Sequence, residues 1–274
     1  MYDDLKIAYY QREIVFGDKQ KNYEAIEQEM ANHKDEGVNL LVLPELFATG
    51  LKNKNNIDFA EKERGETYHW MQNLARQYDM VVMGSMVEKD VKDNIFNTLY
   101  MVYPNGDFGV YKKRHLFGLG CERKEMSQGI YNIPFSVKGW RIASYICYDL
   151  RFPSWMRNDF YYPRKFKYDV CVMVANWPAC RNDAWKKLLE ARAIENMAYV
   201  VGCNRIGKDN NGVEYSGESR VINYKGEVID TIESNKSKLQ IVSLNYRELR
   251  HFREDYPFYM DWDNIGFKAE DLTL

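Results

Sequence analysis

Short apolar runs alternate with amphipathic stretches along the first two thirds of the chain. Residues 6–11 predict a strand. Residues 19–34 predict a helix, with Tyr23, Ile26 and Met30 at helical spacing and Asp18 placed to cap it. Leu40-Leu41-Val42-Leu43 carries no polar position, the pattern of a strand covered on both faces; Pro44 ends it and leaves Glu45 at its carboxyl end. Tyr68, Met71, Ala75 and Tyr78 mark a second helix, followed by strands over residues 80–87 and 94–103 and a turn at Pro104-Asn105-Gly106-Asp107. Lys138-Gly139 and Lys225-Gly226 join runs rich in β-branched and aromatic residues in the manner of hairpins. Helices are expected over residues 153–161 and 183–198, with a strand over 169–175 between them. Strand-helix alternation that gives way to hairpins predicts an α/β layered architecture, with helices outside one mixed sheet or two.

The stretch 183–198 is apolar almost all round, through Trp185, Leu188, Leu189, Ala191, Ile194 and Met197, with Arg192 and Glu195 among them. Such a helix is covered on more than one side, either as a core helix with an internal ion pair or at a subunit interface. No repeat, low-complexity segment or linker divides the 274 residues, so a single domain over 1–274 is expected.

The 38 Lys and Arg nearly cancel the 40 Asp and Glu, which leaves no global field to attract nucleic acid or an anionic membrane. The opening Met1-Tyr2-Asp3-Asp4 is acidic where a secretory signal is basic, and the apolar stretch 40–51 is interrupted by Glu45 and far short of a membrane span. The five cysteines form no C-x-x-C pair, so neither a disulfide framework nor a metal site is expected, and a cytoplasmic location is.

Candidate chemistry then sits at element ends. Cys147 follows the apolar run 140–146 and precedes Tyr148-Asp149-Leu150-Arg151-Phe152-Pro153, a strand-to-helix junction that exposes a side chain at a sheet rim. A thiol is only a few per cent thiolate at neutral pH, so a catalytic cysteine needs a base, a cation or a helix N-terminus beside it. The plain alternative is a buried structural cysteine, just as Asp149 has a plain role as a capping or ion-pairing residue. Of the four histidines, only His115 lies near an informative segment. Glu45 is the other candidate base, because a partly desolvated carboxylate has a raised pKa. The basic run Tyr111-Lys112-Lys113-Arg114-His115-Leu116-Phe117 is closed by apolar residues on both sides, so one lysine can point inward to stabilise an oxyanion; spacing does not say which.

Taken together, residues 43–47, 111–117 and 147–153 resemble the three signatures of the nitrilase superfamily of carbon-nitrogen hydrolases, in order and in spacing. The resemblance runs from residue 6 to about 245 and includes Val174-Ala175-Asn176-Trp177-Pro178, residues 191–196 and Gly202-Cys203-Asn204-Arg205. Within the superfamily the chain is most similar to the omega-amidases, which hydrolyse 2-oxoglutaramate, 2-oxosuccinamate and related omega-amides; nitrilases proper usually follow the cysteine with Trp-Glu, and this chain does not.

The resemblance implies a four-layer αββα sandwich and a Glu-Lys-Cys triad carried onto Glu45, Lys113 and Cys147. Glu45 takes the thiol proton and later activates water, Cys147 attacks the amide carbon, and Lys113 with the Tyr148 backbone N–H holds the oxyanion. Many members use a second glutamate between the lysine and the cysteine, a position that Glu122 fits, with Glu125 the rival. Arg151 is expected to meet the remote carboxylate of the substrate, with Trp177 and Phe117 as pocket walls and Tyr148 beside them. No cofactor or metal is implied. A homodimer is, with residues 246–274 a C-terminal tail whose segment 256–262 packs across the interface.

Three other readings compete: a broader small-amide or N-carbamoyl amidohydrolase, a catalytically silent scaffold on the same fold, and nucleic-acid binding through residues 112–115. The intact triad opposes the second, and the near-neutral charge opposes the third.

Overall fold

The computed structural model describes residues 3–51, 55–161 and 165–263. Two mixed sheets form its centre. In the first, the order is Lys238–Leu244, Leu5–Gln11, Leu40–Val42, Val81–Lys89, Ile95–Val102 and Phe108–Lys112; in the second it is Val228–Thr231, Arg220–Ile222, Tyr199–Asn204, Val170–Ala175, Trp140–Ile146 and Phe135–Val137. Each has a parallel centre of three strands and antiparallel flanks.

The two-residue period of the strands sorts side chains between layers. Leu5, Ile7, Tyr9, Leu40, Val42, Val81 and Met83 join one core with Ile142, Val172, Val174, Val201 and Cys203 of the other sheet. Their neighbours Ala8, Tyr10, Leu41, Leu43 and Val82 face outward onto Tyr23, Ile26 and Met30 of the helix Lys19–Asn32 and Met71, Leu74 and Ala75 of the helix Glu66–Tyr78. That is why Leu40 to Leu43 has no polar position. On the opposite side the helix Asn182–Asn196 lays Trp185, Leu189 and Ala193 on the second sheet. Gly202 permits its close approach, since a Cβ there would stand 2.6 Å from Leu189 Cδ1. The result is the expected αββα layering.

Asp18 caps the first helix, accepting from the Lys21 N–H at 3.1 Å. The hairpin at Lys138-Gly139 forms with both residues at positive φ, 47° and 84°, the backbone of a type I′ turn. The helix Asn182–Asn196 carries the expected ion pair, Arg192 to Glu195 at 2.9 Å, and buries one face while Ile194 on the other stays exposed. One element departs from expectation. Residues 153–161 are not one helix; a single helical segment, Pro153–Met156, gives way to a strand, Phe160–Tyr161, paired with Lys165–Phe166. Buried Asn158 breaks it by bonding the backbone of Tyr168 at both N–H and C=O, a tertiary contact that competes with helical hydrogen bonds.

Candidate active site

The parallel strands Leu40–Val42, Trp140–Ile146 and Val170–Ala175 lead at their carboxyl ends into Glu45, Cys147 and Asn176, the end at which α/β sheets present their chemistry. The strand Trp140–Ile146 stops at Cys147, whose φ of 45° turns the chain sharply into the 3-10 helix Cys147–Arg151. A non-glycine residue holds such a backbone only when its surroundings impose it. Here buried Asp149 does so. Its Oδ2 accepts from the Ile146 N–H at 3.1 Å and the Tyr111 hydroxyl at 2.7 Å, and its Oδ1 accepts from the His115 N–H at 2.9 Å. Arg192 donates to the Leu150 carbonyl from behind at 2.6 Å. The opening turn of a helix leaves its first backbone N–H groups without intrahelical acceptors, so those of Cys147 and Tyr148 stand beside the thiol.

Opposite the cysteine lies a buried charge cluster. Lys113 (2% exposed), Glu45 (1%) and Glu122 (1%) exclude solvent from one another's charges. The ammonium of Lys113 donates to Glu45 Oε1 at 2.9 Å and to both oxygens of Glu122 at 2.8 Å. Asn97 donates to Glu45 at 2.8 Å and to Glu122 at 3.3 Å, and the Phe117 N–H donates to Glu122 at 2.8 Å. Asn176 ties this cluster to Cys147: its N–H donates to Glu45 Oε2 at 2.8 Å, while its carbonyl accepts from Cys147 Sγ at 3.8 Å.

These contacts set the protonation states. Burial pushes the Cys147 thiol well above its ordinary value, Glu45 adds to the rise, and Lys113 opposes it. Burial works against the Lys113 charge, yet Glu122 and Glu45 outweigh it and hold the ammonium well above the usual lysine range. Burial beside this cluster therefore favours the protonated thiol on Cys147.

Of the two glutamates weighed for the second acidic position, the fold brings Glu122 to Lys113 and turns Glu125 away, onto the Asn55 and Asn56 backbone N–H groups at 2.8 and 2.9 Å. The inward lysine of the basic run is Lys113. Lys112 faces Glu88 at 3.5 Å and the Phe96 ring, and Arg114 covers Trp155, so the run is not an open basic patch. His115 lies outside the cluster, with Nδ1 2.8 Å from Asp149 and its ring stacked on Phe152 at 3.8 Å. Cys121 is buried, and its sulfur accepts from Asn56 at 2.9 Å. Phe117 and Tyr148 meet edge to face at 5.3 Å, and the Arg151 guanidinium lies 4.9 Å above the buried Trp177 ring.

Comparison with known proteins bears on this geometry. The family described as carbon-nitrogen hydrolase matches residues 6–254. The chain belongs to the carbon-nitrogen hydrolase family. This hydrolase, which acts on carbon-nitrogen bonds, is 36% identical to the omega-amidase YafV of Escherichia coli K12 over 261 residues, 95% of this chain and 98% of the relative. It is 30% identical to the 2-oxoglutaramate amidase of Bacillus subtilis over 93% of this chain and 96% of the relative. Among solved structures it superposes on XC1258 of Xanthomonas campestris, a CN-hydrolase superfamily protein with an arsenic adduct in the active site. The TM-score is 0.92 at 32% identity, covering 97% of this chain and 100% of that one.

Two residues of the hydrolase's charge cluster escape a sequence reading. Asn97 has a signal, a polar side chain inside the apolar strand Ile95–Val102. Asn176 lies within the segment Val174 to Pro178, but its backbone rather than its side chain makes the contacts. Among the described residues no group of His, Cys, Asp or Glu is placed to hold a metal ion, and no helix is long and apolar enough to cross a membrane.

Proposed function

We propose that this hydrolase is an omega-amidase that cleaves the terminal amide of 2-oxoglutaramate or 2-oxosuccinamate to the dicarboxylate and ammonia, working as one domain through a cysteine thioester. The observation that carries the reading is Asn176, which spans the 2.8 Å contact to Glu45 and the 3.8 Å contact from Cys147, so that base and nucleophile share one support. The likeness to YafV and to the 2-oxoglutaramate amidase of B. subtilis supports the substrate class.

Glu45 accepts the thiol proton as Sγ bonds to the amide carbon. The electron pair of the carbonyl moves onto oxygen, where the Lys113 ammonium and the Tyr148 N–H donate to it. Glu45 then returns the proton to the amide nitrogen, the C–N bond breaks, and ammonia leaves a thioester. Water loses a proton to Glu45, its oxygen bonds to the acyl carbon, and the C–S bond breaks. The sulfur recovers its proton from Glu45. Glu122 holds Lys113 in place, while Arg151, Trp177, Phe117 and Tyr148 receive the rest of the substrate.

Exposed apolar side chains, among them Tyr131, Ile133, Phe258 and Met260, support a homodimer that sedimentation would reveal. The tail residues 264–274 lie outside the described residues. All five cysteines are free, which supports a cytoplasmic setting.

Ammonia release from 2-oxoglutaramate, with Cys147→Ala as control, tests the activity. Turnover of N-carbamoyl compounds or neutral amides, with none of the omega-amide, would instead favour the broader amidohydrolase.

A further inference from the structure

Beyond Trp177 the chain folds into a short 3-10 turn, Ala179–Arg181, and comes back on itself: Trp177 Nε1 donates to the Arg181 carbonyl at 2.9 Å. The half-buried Arg181 side chain then reaches Phe117, its guanidinium carbon 5.3 Å from the ring centroid. Phe117 is the residue whose N–H holds Glu122 at 2.8 Å and whose ring meets Tyr148, next in the chain to Cys147. Across the same wall Arg151 rests on Trp177 at 4.9 Å. Two guanidiniums, one exposed and one half-buried, thus lie over aromatic rings on the stretches that follow Cys147 and Trp177.

Other arginines around the second sheet have their guanidiniums occupied: Arg157 and Arg205, also over aromatic rings, donate to backbone carbonyls. Arg192 faces Glu195, Arg220 faces Glu218, and Arg141 and Arg253 share Asp169. Arg151 and Arg181 make no ion pair with a carboxylate among the described residues. Stacking fixes the plane of a guanidinium and leaves its in-plane N–H fork free for an oxyanion. A 2-oxo acid offers such a fork more than one target, since its carboxylate presents about four lone-pair sites and the neighbouring carbonyl two more.

We propose that Arg181 and Arg151 form a two-guanidinium seat for the acid end of the substrate, with Arg181 setting the preference for a 2-oxo acid over an uncharged amide. This rests on the amidase reading above. One arginine takes the carboxylate in a bidentate pair, and the other takes the remaining carboxylate lone pairs and the 2-oxo oxygen.

Steady-state kinetics of the full-length enzyme on 2-oxoglutaramate and on butyramide tests it, with Arg181→Met, Arg181→Lys, Arg151→Met and the double methionine variant. Methionine keeps the apolar stem packed on Phe117. Arg181→Met is expected to lose roughly 10- to 100-fold in kcat/KM on 2-oxoglutaramate, mainly through KM, and less than about twofold on butyramide. Arg181→Lys, which keeps the charge and loses the fork, should fall between. An equal loss on both amides, or no loss on either, would overturn the seat while leaving the amidase intact. A wild-type enzyme that turns over neither amide would overturn the reading beneath it, and the seat with it.

Discussion

Both carboxylate oxygens of Glu122 lie 2.8 Å from the Lys113 ammonium, so a single buried cation is shared between this glutamate and Glu45. The pairing gives Lys113 no freedom to swing and aims it by geometry rather than by solvent. It also makes each partner depend on the others, because a buried charge left alone carries the full cost of its desolvation.

Lys113→Met should therefore fail twice. Without the ammonium, Glu45 and Glu122 face each other uncompensated, and unfolding free energy should drop by about 3–5 kcal/mol. On the proposed mechanism, in which Lys113 donates to the oxyanion, kcat should also fall by about 10²–10³. Denaturant titration reads the first, and turnover of an accepted amide reads the second.

Glu122→Gln and Glu125→Gln should separate cleanly. Glu122→Gln halves the charge that holds Lys113 and should cut kcat more than tenfold. Glu125→Gln loosens only the loop contacts to Asn55 and Asn56 and should keep kcat within about threefold of wild type. Comparable kcat losses in the two variants would contradict the placement of Glu122 in the cluster.

The thiol offers a test whose sign is not obvious. Glu45 adds to the rise that burial imposes on Cys147, so Glu45→Gln should lower the thiol pKa even as it abolishes hydrolysis. The pH profile of iodoacetamide alkylation, followed by mass at Cys147, reads that shift; an unchanged or higher pKa would contradict it. The raised pKa also bears on stability. The folded state keeps its proton above the pH at which an unfolded cysteine, near 8.5, loses one, so this stabilisation is complete below about pH 8.5 and is lost as pH rises beyond it. Buried Cys171 and Cys203, pushed up by the same desolvation, add to the effect. Thermal midpoints should fall across the alkaline range.

Gly202→Ala tests the contact between layers. The added Cβ would stand 2.6 Å from Leu189 Cδ1 and 2.9 Å from Trp185, and should cost about 1–3 kcal/mol in urea titrations through displacement of the helix Asn182–Asn196.

What the sequence determined on its own was local and periodic. The apolar run at Leu40 to Leu43, the cap at Asp18 and the turn at Lys138-Gly139 each follow from steric and hydrogen-bonding rules that act within a few residues, and signatures around Glu45, Lys113 and Cys147 stood out as residue types at element ends. The tertiary structure decided what depends on distance between strands. Spacing left Lys112 against Lys113 open, and the family resemblance named Lys113 and favoured Glu122 over Glu125; the packing puts Lys113 and Glu122 in contact and recruits Asn97 and the Asn176 backbone. It also broke the expected helix after Met156 through the reach of Asn158 to Tyr168. Spacing along a chain says which faces two residues share within one element. Only the packing of two sheets brings a carboxylate from one of them onto the Asn176 backbone that also meets a thiol of the other, because burial and charge compensation are properties of the assembled layers.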